Sequence, residues 1–199
     1  MKKKSKVIIT SIVTLSVLAT AIPIAANATV FGYKRTTGNF NVWYDHTVAQ
    51  KGYTTQVDWA RSKWTGISSK VSIGSIGSNT TPSPSTDQFY IGYNPIEHHY
   101  GQTFHYGTKQ DPNLSNWDYS VIYIFDNNMV ADGMNNDTNK KNVAVHELGH
   151  SLGLAHTNET NSTLRSQSVM ASGSDSFVNH NITAPSDYDK GELKYKWGN

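Results

Sequence analysis

An eleven-residue run from His146 to His156 constrains the fold of this 199-residue chain more than any other feature. It reads His-Glu-Leu-Gly-His-Ser-Leu-Gly-Leu-Ala-His. Side chains four apart on a helix lie on one face, so His146 and His150 can reach one point if this run is helical. His156 lies too far along a continuing helix, so the chain must turn, and Gly153 is the residue type that ends helices in a left-handed conformation. The run therefore predicts a helix followed at once by a turn.

Three converging imidazoles indicate a metal site. Neutral imidazole nitrogens bind zinc at about 2.0–2.1 Å and leave a fourth position for water. Glu147 projects to the side of the ligand face, where it can act as general base toward that water. We therefore predict one catalytic zinc ion on His146, His150 and His156, with Glu147 as the catalytic residue. The predicted reaction is hydrolysis of peptide bonds by a zinc-activated water.

The full spacing is far more specific than its first half. At a few per cent usage per residue type, His-Glu-x-x-His arises by chance in roughly one chain in two hundred of this length, and Gly153 with His156 lowers that about a further thousandfold. Two other interpretations stay open: solvated histidines on an amphipathic helix, and a non-catalytic secreted binding protein stabilised by zinc. A structural site would not need Glu147, which favours the enzyme.

The first 28 residues have the three parts of a secretory signal peptide. Four lysines precede an apolar stretch over residues 7–24, and Ala26-Asn27-Ala28 resembles a cleavage site. We predict a signal peptide over residues 1–28, a metallopeptidase catalytic domain over residues 29–199, and a secreted, extracellular protein. An uncleaved membrane anchor is the alternative, because the stretch approaches spanning length.

Charge and cysteine content exclude several functions. All four charged residues of the leader are lysines, so the net charge of +2 becomes −2 without it. The remaining lysines are scattered, which gives no nucleic-acid footprint. The chain has no cysteine, which excludes a thiol nucleophile, a lipid-modified cysteine anchor and a cysteine that blocks zinc. The expected partner is an extracellular protein or peptide substrate. No nucleic acid, no membrane association after signal cleavage and a monomeric state are expected.

Hydrophobic periodicity predicts an α+β domain. Alternation predicts a strand over residues 39–44, apolar steps of three and four predict a helix from Thr54 or Thr55, and residues 119–125 give the strongest strand signal. Further strands are predicted at 71–73, 89–91 and 102–106, loops at 75–87 and 126–139, the motif helix at 142–152 and a last helix capped near Ser186. Residues 157–185 show little periodicity. Strands clustered beside the motif helix indicate a layered α+β arrangement.

These residues resemble the metzincin metallopeptidases, and among them the matrixins. Ser168-Val169-Met170-Ala171 stands where the family has a Met-turn, and residues 189–198 are similar to the final matrixin helix. Ser172 occupies the place where astacins and serralysins have a tyrosine ligand, which favours the matrixin branch. The resemblance implies a twisted mixed β-sheet packed on two helices, with a C-terminal subdomain ending in a third helix. It also implies a secreted zinc-dependent endopeptidase.

The resemblance raises the question of further metals. Vertebrate matrixins hold a second, structural zinc with histidines on two strands, but Gln102 and Ile124 stand at those positions here, so no second zinc is expected. Three other histidines could substitute, with loop and surface histidines as the alternative: His98, His99 and His105. Three aspartates could bind calcium, with a solvated polar loop as the alternative: Asp126, Asp132 and Asp137.

The resemblance also suggests where substrate binds. In such enzymes an extended substrate lies along an edge strand beside the metal, and residues 101–106 are the corresponding segment here. The pocket for the side chain after the cut would lie between His156 and about Ser176. That segment follows no family pattern, so bulk extracellular protein and one defined peptide stay open as substrates.

Overall fold

The computed structural model describes residues 29–173 and 180–199. The predicted signal peptide, residues 1–28, lies outside the described residues, and so does the end of the predicted pocket segment. Within these ranges, no helix is both long and apolar enough to cross a membrane.

A five-stranded mixed sheet forms the centre of the molecule. Its strands are β1 (Asn39–Tyr44), β2 (Ser72–Ile76), β3 (Asp87–Gly92), β4 (Gly101–Gly107) and β5 (Trp117–Phe125). They lie in the order β2-β1-β3-β5-β4; the first four are parallel, and β4 pairs antiparallel with β5 at the edge. Alternate side chains of β1 and β3 enter the core, where Val42 and Phe89 are fully buried. The five predicted strands are confirmed.

Six helices accompany the sheet in the described part of the chain: α1 (His46–Gln50), α2 (Thr54–Trp64), α3 (Asp126–Ala131), α4 (Asp137–Ser151), α5 (Ser162–Gln167) and α6 (Asp187–Trp197). Helix α2 packs along α4, and α4 lies against β4 and β5. Trp64 is fully buried and donates from Nε1 to the Val145 carbonyl at 2.8 Å, which fixes the two helices together. Ser186 and Asp189 form the predicted capping box of α6. The predicted architecture, a mixed sheet on two helices with a third at the end, is confirmed.

The predicted loop over residues 126–139 is wrong. Helix α3 occupies its first half, and α4 begins at Asp137, before the predicted start at 142. Asn and Asp are frequent in loops but also cap helices, and the Asn136 side chain accepts a hydrogen bond from the Asn139 amide at 3.0 Å. The same chemistry starts α1 after Asp45 and α5 after Asn161, two short helices that periodicity does not predict. Strand β2 also extends to residue 76, into the predicted loop at 75–87.

Both ends of the described chain close on the C-terminal end of α4. Near the start, the Phe31 amide donates to the Gly153 carbonyl at 3.0 Å. Near the end, Trp197 of α6 donates from Nε1 to the Leu152 carbonyl at 2.8 Å. The turn that follows α4 is therefore held from two sides.

Candidate metal centre

Helix α4 places two histidines on one face. The Nε2 atoms of His146 and His150 lie 3.1 Å apart, and the two rings are perpendicular. Beyond the helix, Gly153 has a φ of +96°. Its amide donates to the His150 carbonyl at 2.9 Å, and the Leu154 amide donates to the Gly149 carbonyl at 3.1 Å. These two bonds form a Schellman motif, so the predicted left-handed turn at Gly153 is confirmed.

The turn brings His156 back beside the first two histidines. Its ring centroid lies 5.2 Å from that of His146 and 4.9 Å from that of His150. One nitrogen from each of the three residues lies within 4.8 Å of the others. Two nitrogens bound tetrahedrally to one zinc ion would be about 3.3 Å apart, close to the separation seen on α4. The three histidines can hold a metal ion, and no other such group occurs in the described residues.

Backbone carbonyls orient the two helical imidazoles. His146 Nδ1 lies 2.8 Å from the Val169 carbonyl oxygen, and His150 Nδ1 lies 2.8 Å from that of Leu154. Because a carbonyl oxygen only accepts, each Nδ1 carries the hydrogen and each Nε2 keeps its lone pair for a metal. Burial lowers the pKa of His146 to about 4 and that of His150 well below its ordinary value. Both rings are therefore neutral at neutral pH, which is the form that binds zinc.

The segment around Met170 supports helix α4, which carries the first two histidines. Met170 is buried, and a Cβ added to Gly149 would lie 2.5 Å from its Sδ, so the methionine side chain packs directly against the backbone of α4 at this glycine. Asp189 of α6 accepts a hydrogen bond from the Val169 amide at 3.0 Å. The carbonyl of Val169 is the acceptor that orients His146. The segment that resembles a Met-turn thus connects α6 to the first histidine.

Glu147 lies buried beside the three histidines. Thr103 Oγ1, in β4, lies 2.8 Å from Glu147 Oε2 and 2.9 Å from the Glu147 carbonyl oxygen. A Cβ added to Gly101 of the same strand would lie 2.6 Å from Glu147 Oε1. Burial raises the pKa of Glu147 to about 8, and the hydrogen bond from Thr103 opposes that rise. A carboxyl group with such a pKa can take up or release a proton near neutral pH.

A cleft of about 300 Å³ opens beside the histidines. Strand β4 forms one wall, with Gly101, Gln102, Thr103 and His105. The facing wall has Glu147, His150 and His156. Phe31 also lines the cleft, with its ring centroid 5.8 Å from that of His150. The candidate base and two of the candidate ligands therefore share one cavity with the edge strand.

The other histidines and the aspartates that could bind metal are each hydrogen-bonded to a different residue. The histidines pair differently: His98 with Asp132 at 2.9 Å, His99 with Asn94 at 3.0 Å and His105 with Ser120 at 3.2 Å. The aspartates accept from different donors: Asp126 from Tyr53, Asp132 from Tyr100 and Asp137 from Gln56. Within residues 29–173 and 180–199, neither set forms a group at metal-binding distance. Calcium binding by the three aspartates therefore finds no support in the structure.

A mixed sheet packed on a helix with three convergent histidines defines the metzincin class of peptidases. The family model of the matrixins matches residues 40–181, which include all of the sheet except Asn39, the whole of α4 and all three histidines. The chain therefore belongs to the matrixin family. The solved structure of myroilysin matches with a TM-score of 0.50 and 15% identity, covering 86% of this chain and 98% of that chain, which shows a shared fold. A search of curated proteins finds no match.

Two cleft residues have no sequence signature. Alternation along β4 places Gly101, Thr103 and His105 on one face of the strand, but it does not say that this face meets α4. Phe31 lies in a segment without periodicity, and its position depends on the hydrogen bond to Gly153. Thr103 and Phe31 are therefore found only once the chain is folded.

Proposed function

We propose that this protein is a secreted zinc-dependent endopeptidase that hydrolyses peptide bonds with Glu147 as general base. One observation carries the proposal: three histidines converge at metal-binding distance beside a cleft that also holds a buried carboxylate. A structural zinc site is normally closed by four protein ligands, whereas this group has three and borders a cleft. Membership of the matrixin family supports peptidase activity.

Each residue of the group has a role in this proposal. His146, His150 and His156 would hold zinc through their ring nitrogens. When bound, the ion supplies Lewis-acid chemistry that acidifies a water molecule and polarises the scissile carbonyl. Glu147 takes the proton from the attacking water and passes it to the leaving amine.

The edge strand supports binding of an extended peptide. Strand β4 has β5 as its one neighbour in the sheet, so its outer edge can pair with another strand. The cleft lies between that strand and the histidines. The proposed substrate is therefore an extracellular protein or peptide that pairs with residues 101–106 and presents a peptide bond to Glu147. The proposal includes a monomeric enzyme without nucleic-acid or membrane partners.

Secretion is the part of the proposal that depends on sequence pattern alone. It is based on the charged start, the apolar stretch and the small-residue end of residues 1–28. Mass spectrometry of the protein from culture medium should show an N-terminus at Thr29.

Metal analysis and digestion of proteins test the activity. We expect one zinc ion per chain and cleavage of casein or gelatin, which 1,10-phenanthroline abolishes and added zinc restores. Glu147→Ala should lower the rate by about a thousandfold while zinc stays bound, because the base is not a ligand. Glu97→Ala, at an exposed glutamate, is the matched control and should keep full activity.

Three outcomes would change the proposed function or one part of it. Tight zinc, large destabilisation on chelation and no hydrolysis of any protein or peptide library would indicate a zinc-stabilised binding protein. Cleavage of one defined peptide without cleavage of bulk protein would keep the enzyme and narrow its substrate. Full activity of Glu147→Ala would remove the general-base role.

A further inference from the structure

A hydroxyl group on the edge strand holds the proposed general base. Thr103 Oγ1 lies 2.8 Å from Glu147 Oε2 and 2.9 Å from the carbonyl oxygen of the same residue. Among the described side chains, it alone hydrogen-bonds the Glu147 carboxylate. We propose that Thr103 is a positioning residue for the hydrolysis, fixing the Glu147 carboxylate through this hydroxyl. The inference rests on the function proposed above.

The hydroxyl has one hydrogen and two neighbouring acceptors, both on Glu147. While Glu147 is ionised, Thr103 donates to the carboxylate. Once Glu147 carries a proton, the carboxyl group donates to Oγ1 and the Thr103 hydrogen turns to the backbone carbonyl. The contact is therefore kept through both halves of the proposed proton transfer. An apolar side chain of the same size could keep neither bond.

Gly101 leaves room for the same carboxylate. A Cβ added at this position would lie 2.6 Å from Oε1, 2.7 Å from Cγ and 2.9 Å from Cδ of Glu147. The glutamate therefore occupies the space that a side chain at position 101 would need, with Thr103 holding one oxygen and Gly101 beside the other. A glutamate side chain has several rotamers when free, and the hydrogen bond with Thr103 favours the rotamer in which Oε2 meets the hydroxyl.

The contact also joins the proposed substrate strand to the proposed base. Thr103 faces α4, whereas its neighbour Phe104 points to the opposite side of β4 and is 41% exposed. Because one strand would both pair with substrate and hold Glu147, the peptide bond and the carboxylate keep a fixed separation. Misplacing a catalytic group by about 1 Å can lower a rate about a hundredfold. Loss of the hydroxyl should therefore affect turnover and not affinity.

Two substitutions at position 103 provide the test. Thr103→Val keeps the shape and removes the hydroxyl, whereas Thr103→Ser keeps the hydroxyl and removes the methyl group. In zinc-loaded protein we expect Thr103→Val to lower kcat about tenfold to a hundredfold with KM changed less than about twofold. Thr103→Ser should stay within about threefold of the wild type. Thr108→Val, at an exposed threonine just beyond β4, is the matched control and should leave kcat unchanged.

Two measurements besides activity separate positioning from folding. Zinc content should stay at one ion per chain in each variant, because Thr103 makes no hydrogen bond to the three histidines. Crystal structures of the zinc-loaded proteins should show one Glu147 rotamer in the wild type and in Thr103→Ser. Thr103→Val should show more than one.

Equal kcat in Thr103→Val and the wild type would overturn the proposal. A raised KM at unchanged kcat would also overturn it and would indicate a substrate contact, and loss of zinc would indicate a role in the metal site. Should Thr103→Val fail to fold, Thr103→Ala carries the same test with the same expected loss. A zinc-loaded wild type without any hydrolysis would refute the proposed function. The Glu147 rotamer then decides the Thr103 contact alone, and a single rotamer in Thr103→Val would overturn it.

Discussion

Two buried carboxylates at helix α4 have different surroundings. Asp87 contacts the helix, and Glu147 is part of it. Asp87, at the start of β3, is fully buried and lies 3.1 Å from Arg35 Nη2 through its Oδ1. The Ser120 amide donates to the same oxygen at 2.8 Å, and the Ser151 hydroxyl of α4 donates to the other oxygen. Glu147, on the cleft side, has one hydroxyl partner and no cation among the described residues. One carboxylate is enclosed by donors, and the other faces a cavity.

The pKa values of the two carboxylates differ in the same way. Burial raises the pKa of Asp87 to about 6, against the opposing effect of Arg35, so Asp87 is an anion beside a cation at neutral pH. Burial raises the pKa of Glu147 to about 8. A buried acid with a complete set of donors is a structural element, whereas one with a single neutral partner beside a cleft can exchange its proton.

The same chemical change at the two acids should therefore have opposite consequences. Asp87→Asn removes the carboxylate that contacts the buried Arg35 guanidinium, and we expect a loss of about 3–5 kcal/mol in the free energy of unfolding. Glu147→Gln removes an acid that burial disfavours when charged, so we expect stability to stay the same or to rise. Urea unfolding of the two variants and the wild type in one buffer at neutral pH measures both.

A double substitution provides the control for this prediction. Arg35→Met with Asp87→Leu removes both members of the buried ion pair. This double variant should recover part of the lost stability, because no buried charge is left without its partner. Equal losses in Asp87→Asn and Glu147→Gln would show that the two acids do not differ in this way.

His105, a buried base on the cleft side, extends the comparison to the pH dependence of folding stability. Among the described residues His105 has no acidic partner, and burial lowers its pKa from 6.5 to about 4. Above pH 6.5 neither the folded nor the unfolded chain protonates it. As the pH falls from 6.5 to about 4, His105 is protonated in the unfolded chain but stays neutral in the folded chain. The free energy of unfolding therefore falls by roughly 3 kcal/mol because of His105.

Urea unfolding of metal-free protein between about pH 7 and pH 4 tests the effect of His105. His105→Gln cannot titrate, so its stability should fall less steeply with acid than that of the wild type. Other histidines titrate in both proteins, so the difference between the two slopes isolates His105. Parallel slopes would contradict the prediction.

Local rules made helix α4 and the turn after it predictable from sequence. The i, i+4 spacing of His146 and His150 specifies a helix, and the glycine at 153 specifies its left-handed end. Both are properties of a few adjacent residues. The same applies to the capping box at Ser186, whose partner lies three residues along the chain.

Contacts between distant segments were not predictable in the same way. Thr103 reaches Glu147, and Arg35 reaches Asp87, only because the sheet and α4 are packed together. Alternation in a strand gives two faces without saying which one meets the helix. The prediction of a loop at 126–139 was wrong for a related reason, since an asparagine such as Asn136 is common both in loops and at helix N-caps.

A third buried carboxylate, Asp189, lies between the two extremes and gives the smallest expected effect. It has no cation in the described part of the chain but accepts from the Ser168 hydroxyl at 2.5 Å, the Val169 amide at 3.0 Å and the Ser186 amide at 2.8 Å. The Ser186 hydroxyl adds a bond at 2.8 Å and caps α6. Ser186→Ala removes the cap while those three donors remain, so we expect a loss of about 1 kcal/mol by urea unfolding.

Zinc content and activity should not change in Ser186→Ala, because the Val169 amide still binds Asp189 and the Val169 carbonyl still orients His146. Ser78→Ala, at an exposed serine, is the matched control and should leave stability unchanged. A loss near that of Asp87→Asn, or a fall in zinc content, would mean that the donors around Asp189 do not substitute for one another. A buried carboxylate such as Asp189, without a neighbouring cation, would then need all of its hydrogen-bond donors. The difference between the Asp87 and Glu147 variants would in that case depend on the number of hydrogen bonds and not on the counter-charge.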